Sequence, residues 1–500
     1  MKLKRKKLFL LLAVFLFASF LRFYKITKIP PEIFSDELHS ANAALSYLKT
    51  GKDIDGQIHS FFYDPMQFFP PIMSISMLPG FILFGPNSFT IRLPGILYSI
   101  FSLIIFFKLV HFLSKCFNLS LASTLILSII PWHFHYSRFG WEQASFLFYF
   151  LSGIYFFLKG RDDKKLIPLG FLFFGLSFYS YSTAMLFSPL FLLAILLIYK
   201  KDYFKNLNFI ILGFLIFLLI ITPFIHASLT EPLMHQRAKR IFIATGKTPT
   251  SILLTATNNY LKHFSPEFLF INGDSNLRHN VKKVGEIYFF MFPFALIGLI
   301  STIRRKSKSS LFILFWLTAY PLASVLTDDG NPHATRSLIG APLFSFLSGF
   351  GIVKIKKLLN QKTRILFFSL LSLICLFEVS RYLKEYFIYY PVYSANAWNY
   401  GQSEVFSYVK KNEKYYQKVC FNHLDWYTLS HNLRYYLSEI QPHTKFLNNP
   451  EIKDCLNSNS LLVLRSEIPA PKNTILTHQI NDLNNIPLYN LYKVDFKINN

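Results

Sequence analysis

Charge is scarce in this sequence. Of 500 residues only 16% are Asp, Glu, Lys or Arg, while 52% are hydrophobic and 18% aromatic. A soluble chain carries about 25% charged residues, so a soluble globular protein is excluded and a polytopic membrane protein is expected. Acids are scarcer than bases, 27 against 52, for a net charge of +25. In a soluble protein that excess would point to nucleic acid. In a membrane chain Lys and Arg collect in cytoplasmic loops for topological reasons, so no nucleic-acid partner is implied. There are four cysteines: Cys116 and Cys375 fall in apolar runs, and Cys420 and Cys455 leave room for a single bridge. A disulfide scaffold and a Cys-x-x-Cys zinc site are both excluded. The sequence has no Walker A loop, no Rossmann glycine fingerprint, no HExxH and no GxSxG. It also has no repeat of fixed period and no low-complexity linker.

The apolar runs come next. Lys2 to Lys7 are basic and Leu8 to Phe20 apolar, with no small-x-small cleavage site after them. This reads as a retained anchor with a cytoplasmic N-terminus. Further runs lie near 72–84, 92–110, 117–132, 143–158, 166–186, 187–199, 207–226, 286–303, 309–326, 338–353 and 365–380. The first of these, bounded by Pro70-Pro71 and Gly85-Pro86, is too short for a core that needs about 20 residues. If it does not cross, the clusters at Lys108/Lys115, Lys159/Arg161/Lys164/Lys165, Lys200/Lys201/Lys205, Arg304/Arg305/Lys306/Lys308 and Lys354/Lys356/Lys357/Lys362/Arg364 all share the side of the N-terminus. If it crosses, they all move outside. It is therefore read as interfacial or re-entrant, which leaves about 11 transmembrane helices and an outside C-terminus.

The expected fold is an α-helical polytopic membrane protein, in the plasma membrane, with a small C-terminal α/β extracytoplasmic domain. The transmembrane domain is 1–380, with 24–91 as its first external loop, and the extracytoplasmic domain is 381–500. In the tail Val419-Cys420-Phe421 and Leu461 to Leu464 read as strands.

Nearly all residues suited to chemistry fall on the outer side of this topology. Ser35-Asp36-Glu37-Leu38-His39 follows Pro30-Pro31. Ser35 can cap a helix with both acids in its first turn, an arrangement the helix dipole also favours without any catalysis. The corner His133 to Glu142 holds Arg138 and Glu142 four apart, either as an i, i+4 ion pair or as charge at a membrane boundary with a functional role. The stretch Asn272-Gly273-Asp274-Ser275-Asn276-Leu277-Arg278-His279-Asn280 and the corner Asp328-Asp329-Gly330-Asn331-Pro332-His333-Ala334-Thr335-Arg336 combine turn formers with His and Arg. Turns need Asn, Gly and Asp but not Arg and His. Guanidinium forks suit phosphate oxygens, so both turns point to a phosphate near the outer surface.

The order of these motifs resembles the GT-C class of membrane glycosyltransferases, which contains the protein O-mannosyltransferases and lipid A aminoarabinose transferases. Asp36-Glu37 matches the Asp-Glu pair of that class's first external loop. Phe69-Pro70-Pro71 is similar to its (His/Lys)-Pro-Pro, with Phe69 in place of the basic residue. Phe84-Gly85-Pro86 through Arg92-Leu93-Pro94 resembles its entry to the next span, and Ser137-Arg138-Phe139 with Glu142 its Ser-Arg corner. The resemblance covers about residues 8–380 in organisation, and its specific motifs lie within 36–142.

It implies transfer of a sugar, with inversion, from a polyprenyl-phosphate donor to a protein, lipid or glycan hydroxyl. Asp36 would be the general base, and Glu37, the second catalytic residue, would orient acceptor or sugar hydroxyls. Arg138, Glu142, Asp274, Arg278, His279, His333 and Arg336 would bind substrate. No metal is implied, although Asp36, Glu37 and Glu142 are hard oxygen ligands suited to Mg²⁺ or Mn²⁺. The alternatives are a membrane polysaccharide polymerase or ligase, and a non-enzymatic lipid-carrier transporter. A transporter would need ionisable residues near the midplane and often an inverted repeat, and neither is evident.

The topology has a direct test. A reporter fused after Leu83 should lie on the same side of the membrane as one fused after Ser60, and opposite sides would refute a non-crossing 72–84.

Overall fold

The computed structural model describes residues 2–54, 56, 70–230, 241–246, 248–422, 424, 426–437 and 444–494. Phe69 lies outside them. The chain forms two compact units. One is Met1–Ile26 with Gly51–Tyr386, the other Thr27–Thr50 with Phe387–Asn500. The helix Ser35–Thr50 is thus built into the same unit as the C-terminal tail.

Among the described residues, the first unit is helices joined by loops, with one isolated β-bridge between Phe242 and Thr327. Among the described residues, four helical stretches are long and apolar enough to cross a membrane: Ser88–Ser114, Lys200–Thr230, Lys308–Val325 and Gln361–Ser394. Ile72–Phe84 is a helix of 13 residues. The helix Ser88–Ser114 is a hub, packing on Phe117–Ile129, Gln143–Lys159, Ile72–Phe84 and Lys2–Phe23. Its start is a capping box. The Asn87 side chain accepts from the amides of Phe89 and Thr90, and the Thr90 hydroxyl accepts from the Asn87 amide. The core is aromatic, with Phe106, Phe150, Phe157, Phe174, Phe191 and Trp316 almost fully buried. Gly95 marks a close approach, since a Cβ there would collide with the carbonyl of Phe139.

Several apolar runs are divided by their polar residues and prolines. The run 117–132 breaks at Ile130, which is extended at ψ 143°, because Pro131 disfavours the helical conformation before it. The run 166–186 ends as a helix at Ser177 and the next begins at Ala184. Between them the Ser180 hydroxyl donates to the Ser177 carbonyl and the Tyr179 hydroxyl to the Ile220 carbonyl. The run 286–303 becomes helical only at Met291, since Glu286 and Ile287 donate their amides to the carbonyls of Phe268 and Leu269.

The second unit contains a five-stranded sheet of order β2-β1-β3-β5-β4. Its strands are β1 (Lys418–Phe421), β2 (Lys445–Asn448), β3 (Ser460–Arg465), β4 (Thr474–Asn481) and β5 (Pro487–Val494). β2, β1 and β3 are parallel, and β5 pairs antiparallel with both β3 and β4. Strand alternation divides the core between the two faces. Val419, Phe421, Leu461 and Val463 pack with Val405, Phe406 and Val409 of the helix Gln402–Asn412. Cys420, Leu462 and Leu464 pack on the other side with Cys455. Cys420 and Cys455 are joined in a disulfide, while Cys116 and Cys375 are free.

The bridge closes a loop with a sequence separation of 35. Cys420→Ser with Cys455→Ser should destabilise the C-terminal unit by about 3–4 kcal/mol. Alkylation of denatured, unreduced protein should label Cys116 and Cys375 alone. Labelling of all four would show that the bridge does not form.

Candidate active site

Asp36 and Glu37 open the helix Ser35–Thr50, and their side chains do different things. Glu37 is fully buried and its Oε2 accepts the backbone amide of Phe34 at 3.1 Å. It therefore closes the first turn from inside, as the acid at the third position of a capping box does. Ser35, read from the sequence as the cap, is instead the first helical residue, and its hydroxyl meets that of Thr428 at 3.0 Å. Asp36 is half-buried, and its Oδ1 accepts the Tyr427 hydroxyl at 3.1 Å.

The face of this helix packs on the helix Trp426–Tyr436. His39 and His431 meet edge to face, with 4.9 Å between ring centroids, and Asn42 donates to the His431 carbonyl at 2.9 Å. Burial, then the nearby His431 and Arg434, hold the His39 imidazole well below its usual range, so it is neutral. Tyr427, Thr428 and His431 were not singled out from sequence. Their spacing along one helix was the available signal, and nothing local linked it to Asp36.

In the first unit, the Arg138 guanidinium is fully buried. Nη1 donates to the carbonyls of Leu21 and Arg22 at 2.7 and 2.8 Å, and Nη2 to that of Tyr24 at 2.7 Å. Arg138 thus closes the carbonyl end of the helix Lys2–Phe23, where a cation also suits the dipole. Arg92, equally buried, donates to the next acceptor, the Ile26 carbonyl, at 2.8 Å. Glu142 is buried directly before the helix Gln143–Lys159.

The two His/Arg turns come together. Asp274 Oδ1 accepts the Asn276 amide at 2.9 Å, and Oδ2 accepts the Ala334 amide at 2.8 Å and lies 2.9 Å from His279 Nδ1. His333 Nδ1 is 3.8 Å from the same Oδ2, and the two imidazoles stand 4.7 Å apart. Burial by itself would raise the Asp274 carboxyl, but His279, His333 and the Asn276 amide outweigh it and hold it at about 2. Glu286 lies behind, fully buried, and accepts the Asp274 amide at 3.0 Å. Burial, reinforced by Asp274, pushes its carboxyl well above the usual range.

His263 supports the corner from below. Its Nδ1 donates to the Asn259 carbonyl at 2.7 Å, which leaves Nε2 to accept the His333 amide at 3.4 Å. Burial lowers this imidazole to about 4. His135 Nε2 donates to the Arg278 carbonyl at 2.8 Å. The fork of Arg336 closes on the Asp329 carboxylate, with Nη2 to Oδ2 at 2.8 Å. Arg278 is half-buried. Among the described residues, Asp274, His279 and His333 are the one group of three acid, Cys or His side chains with ligand atoms all within 4.8 Å of one another. Glu286, His263 and His135 were not assigned from sequence, because no local pattern links them to their partners Asp274, His333 and Arg278.

Comparisons with known proteins find a family model over part of the chain and solved membrane proteins of similar fold. Residues 70–226 match the family model described as dolichyl-phosphate-mannose-protein mannosyltransferase. The crystal structure of apo ArnT from Cupriavidus metallidurans is similar at a TM-score of 0.57 and 12% identity, over 98% of both chains. The same protein bound to undecaprenyl phosphate gives 0.56 and 11%, over 96% of this chain and 97% of that one. The Archaeoglobus fulgidus oligosaccharyltransferase tethered to an acceptor peptide gives 0.58 and 12%, over 89% of this chain, which spans only 64% of its length. No curated protein matches the sequence.

The two readings of Arg138, helix clamp and substrate grip, separate on stability. Arg138→Met leaves three carbonyls without their charged donor and should lower stability by about 1.5–3 kcal/mol, seen as a fall in the thermal midpoint in detergent. A raised KM for the lipid donor at unchanged thermal stability would instead make it a substrate residue.

Proposed function

We propose that the protein transfers a sugar from a polyprenyl-phosphate carrier to a hydroxyl of a protein, lipid or glycan acceptor on the outer face of the membrane, with inversion, and that Asp36 is the general base. The observation that carries the base is the contrast between the two first-turn acids. Glu37 is buried and engaged with its own helix start, while Asp36 keeps a half-exposed carboxylate oriented by Tyr427. The lipid-phosphate carrier is supported by the likeness to ArnT, whose structure holds undecaprenyl phosphate. Outward placement of the C-terminal unit is supported by the Cys420–Cys455 bridge, since disulfides persist in oxidising compartments. The reading of about 11 spans with a cytoplasmic N-terminus belongs to the same proposal and rests on the basic loops.

In this reaction the acceptor oxygen bonds to the anomeric carbon as the bond from that carbon to the carrier phosphate breaks. Asp36 takes the acceptor proton late, when the hydroxyl has become acidic. The departing polyprenyl phosphate gathers negative charge, which cationic groups stabilise. Arg278, whose guanidinium fork suits phosphate oxygens, is the residue assigned to it. Glu37 and Glu142 act as positioning residues. The likeness to the Archaeoglobus oligosaccharyltransferase keeps a polysaccharide ligase or polymerase as the second reading, and turnover of mono- against oligosaccharide carriers separates the two.

Asp36→Asn preserves size while removing the proton acceptor, so turnover should fall about 10²–10⁴-fold with donor binding little changed. Glu37→Gln, whose amide oxygen can still accept the Phe34 amide, should cost less. Full transfer activity in purified Asp36→Asn protein, with a stability loss of no more than about 1 kcal/mol, would reduce Asp36 to a helix-end acid.

A further inference from the structure

We infer that Asp274, His279 and His333 form a zinc site that joins the loop 272–281 to the corner 328–337. Three groups converge on one atom. Asp274 Oδ2 accepts the Ala334 amide at 2.8 Å and faces His279 Nδ1 at 2.9 Å and His333 Nδ1 at 3.8 Å. The ligand atoms of a tetrahedral zinc with bonds of about 2.0–2.1 Å stand about 3.3 Å apart, a value between these two His–Asp distances. Hydrogen bonding to Asp274 holds one imidazole at that oxygen. The second, whose ring centroid lies 4.7 Å from the first, stands beyond hydrogen-bond reach of it at 3.8 Å. A cation between them takes all three.

The surroundings suit a metal ligand set. The side chains are almost out of water, with 6% of Asp274, 12% of His279 and 11% of His333 exposed. Asp274 is oriented by its outer shell, with Oδ1 held by the Asn276 amide and its own amide donating to Glu286. Such support is what fixes first-shell ligands in known sites. The Tyr181 hydroxyl donates to Thr335 Oγ1, so the Thr335 proton points to His333 Nδ1 at 2.8 Å; that nitrogen is unprotonated, and zinc would take its lone pair by displacing the Thr335 hydroxyl. At His279 the metal replaces the proton shared with Asp274.

Two imidazoles and one carboxylate are a borderline donor set that suits zinc; Mg²⁺ and Mn²⁺ prefer more oxygens. Three protein ligands leave a fourth position for water or an anionic oxygen. The proposal does not depend on the sugar-transfer reading.

The test uses the full-length protein in detergent with an affinity tag that contains no histidine. After incubation with zinc chloride and desalting, elemental analysis should find about one zinc per chain. Asp274→Asn and His333→Gln should each bind zinc at least about 10-fold more weakly. Cobalt chloride added to metal-free wild-type protein should produce the intense visible bands of tetrahedral cobalt, and zinc should abolish them while magnesium does not. Because these readouts use wild-type protein without donor or acceptor, a variant that fails to fold does not decide the matter, and transfer activity can fail or succeed independently. Wild-type protein that keeps its thermal midpoint yet binds no zinc and gives no cobalt bands would overturn the site and leave a hydrogen-bonded staple. Zinc retained by both variants would overturn the ligand assignment.

Discussion

The carbonyl end of the first helix is the constraint on which the packing of the first unit depends. A helix leaves its last carbonyls without partners, and in apolar surroundings no water supplies them. Here Arg138 donates to the carbonyls of Leu21, Arg22 and Tyr24, and Arg92 to that of Ile26. Arg22 in turn reaches Ser99, the Ser128 carbonyl and His133. A guanidinium is the side chain that can do this, because it carries five donors in one plane and stays charged. The three arginines tie the end of the first helix to the helix Ser88–Ser114 and to the corner after Pro131. This gives the Arg-Leu-Pro and Ser-Arg segments a scaffold role that does not require them to touch substrate.

The second polar centre works by separating the charges of two neighbouring carboxyls. Asp274 is held as an anion by the imidazoles and amides around it, whereas Glu286, buried behind it, is driven toward the neutral acid by desolvation and by Asp274 itself. Two adjacent acids pushed in opposite directions avoid burying two negative charges together. The loop and the corner are thereby joined through one carboxylate oxygen, and the Trp132 indole adds a hydrogen bond to the Ala334 carbonyl at 2.9 Å.

Much of the fold was legible because its signals are local. Apolar runs and the apolar segment Val419-Cys420-Phe421, read as a strand, each report on a stretch of a few residues. The breaks at Ile130 and Ser177 were less legible: hydropathy averages over a run, while a proline or a hydroxyl bonded to a carbonyl acts at one position. The chemistry of the loops was read in type and not in partnership. The turns at 272–280 and 328–336 were both seen to carry His and Arg, but their meeting at Asp274 Oδ2 was not, and Arg336 could not be seen to close on Asp329.

Composition and charge placement by themselves determined that this is a helical membrane protein, and motif order determined its glycosyltransferase resemblance, because both are properties of the chain read in order. Tertiary structure decided which polar side chains serve the scaffold. It assigned Arg138 to carbonyls 117 to 114 positions away, Glu37 to its own helix start, and the helix Ser35–Thr50 to the unit that holds the tail. A buried polar group must find a partner wherever the fold brings one, and partners so distant along the chain leave no mark on the sequence around it.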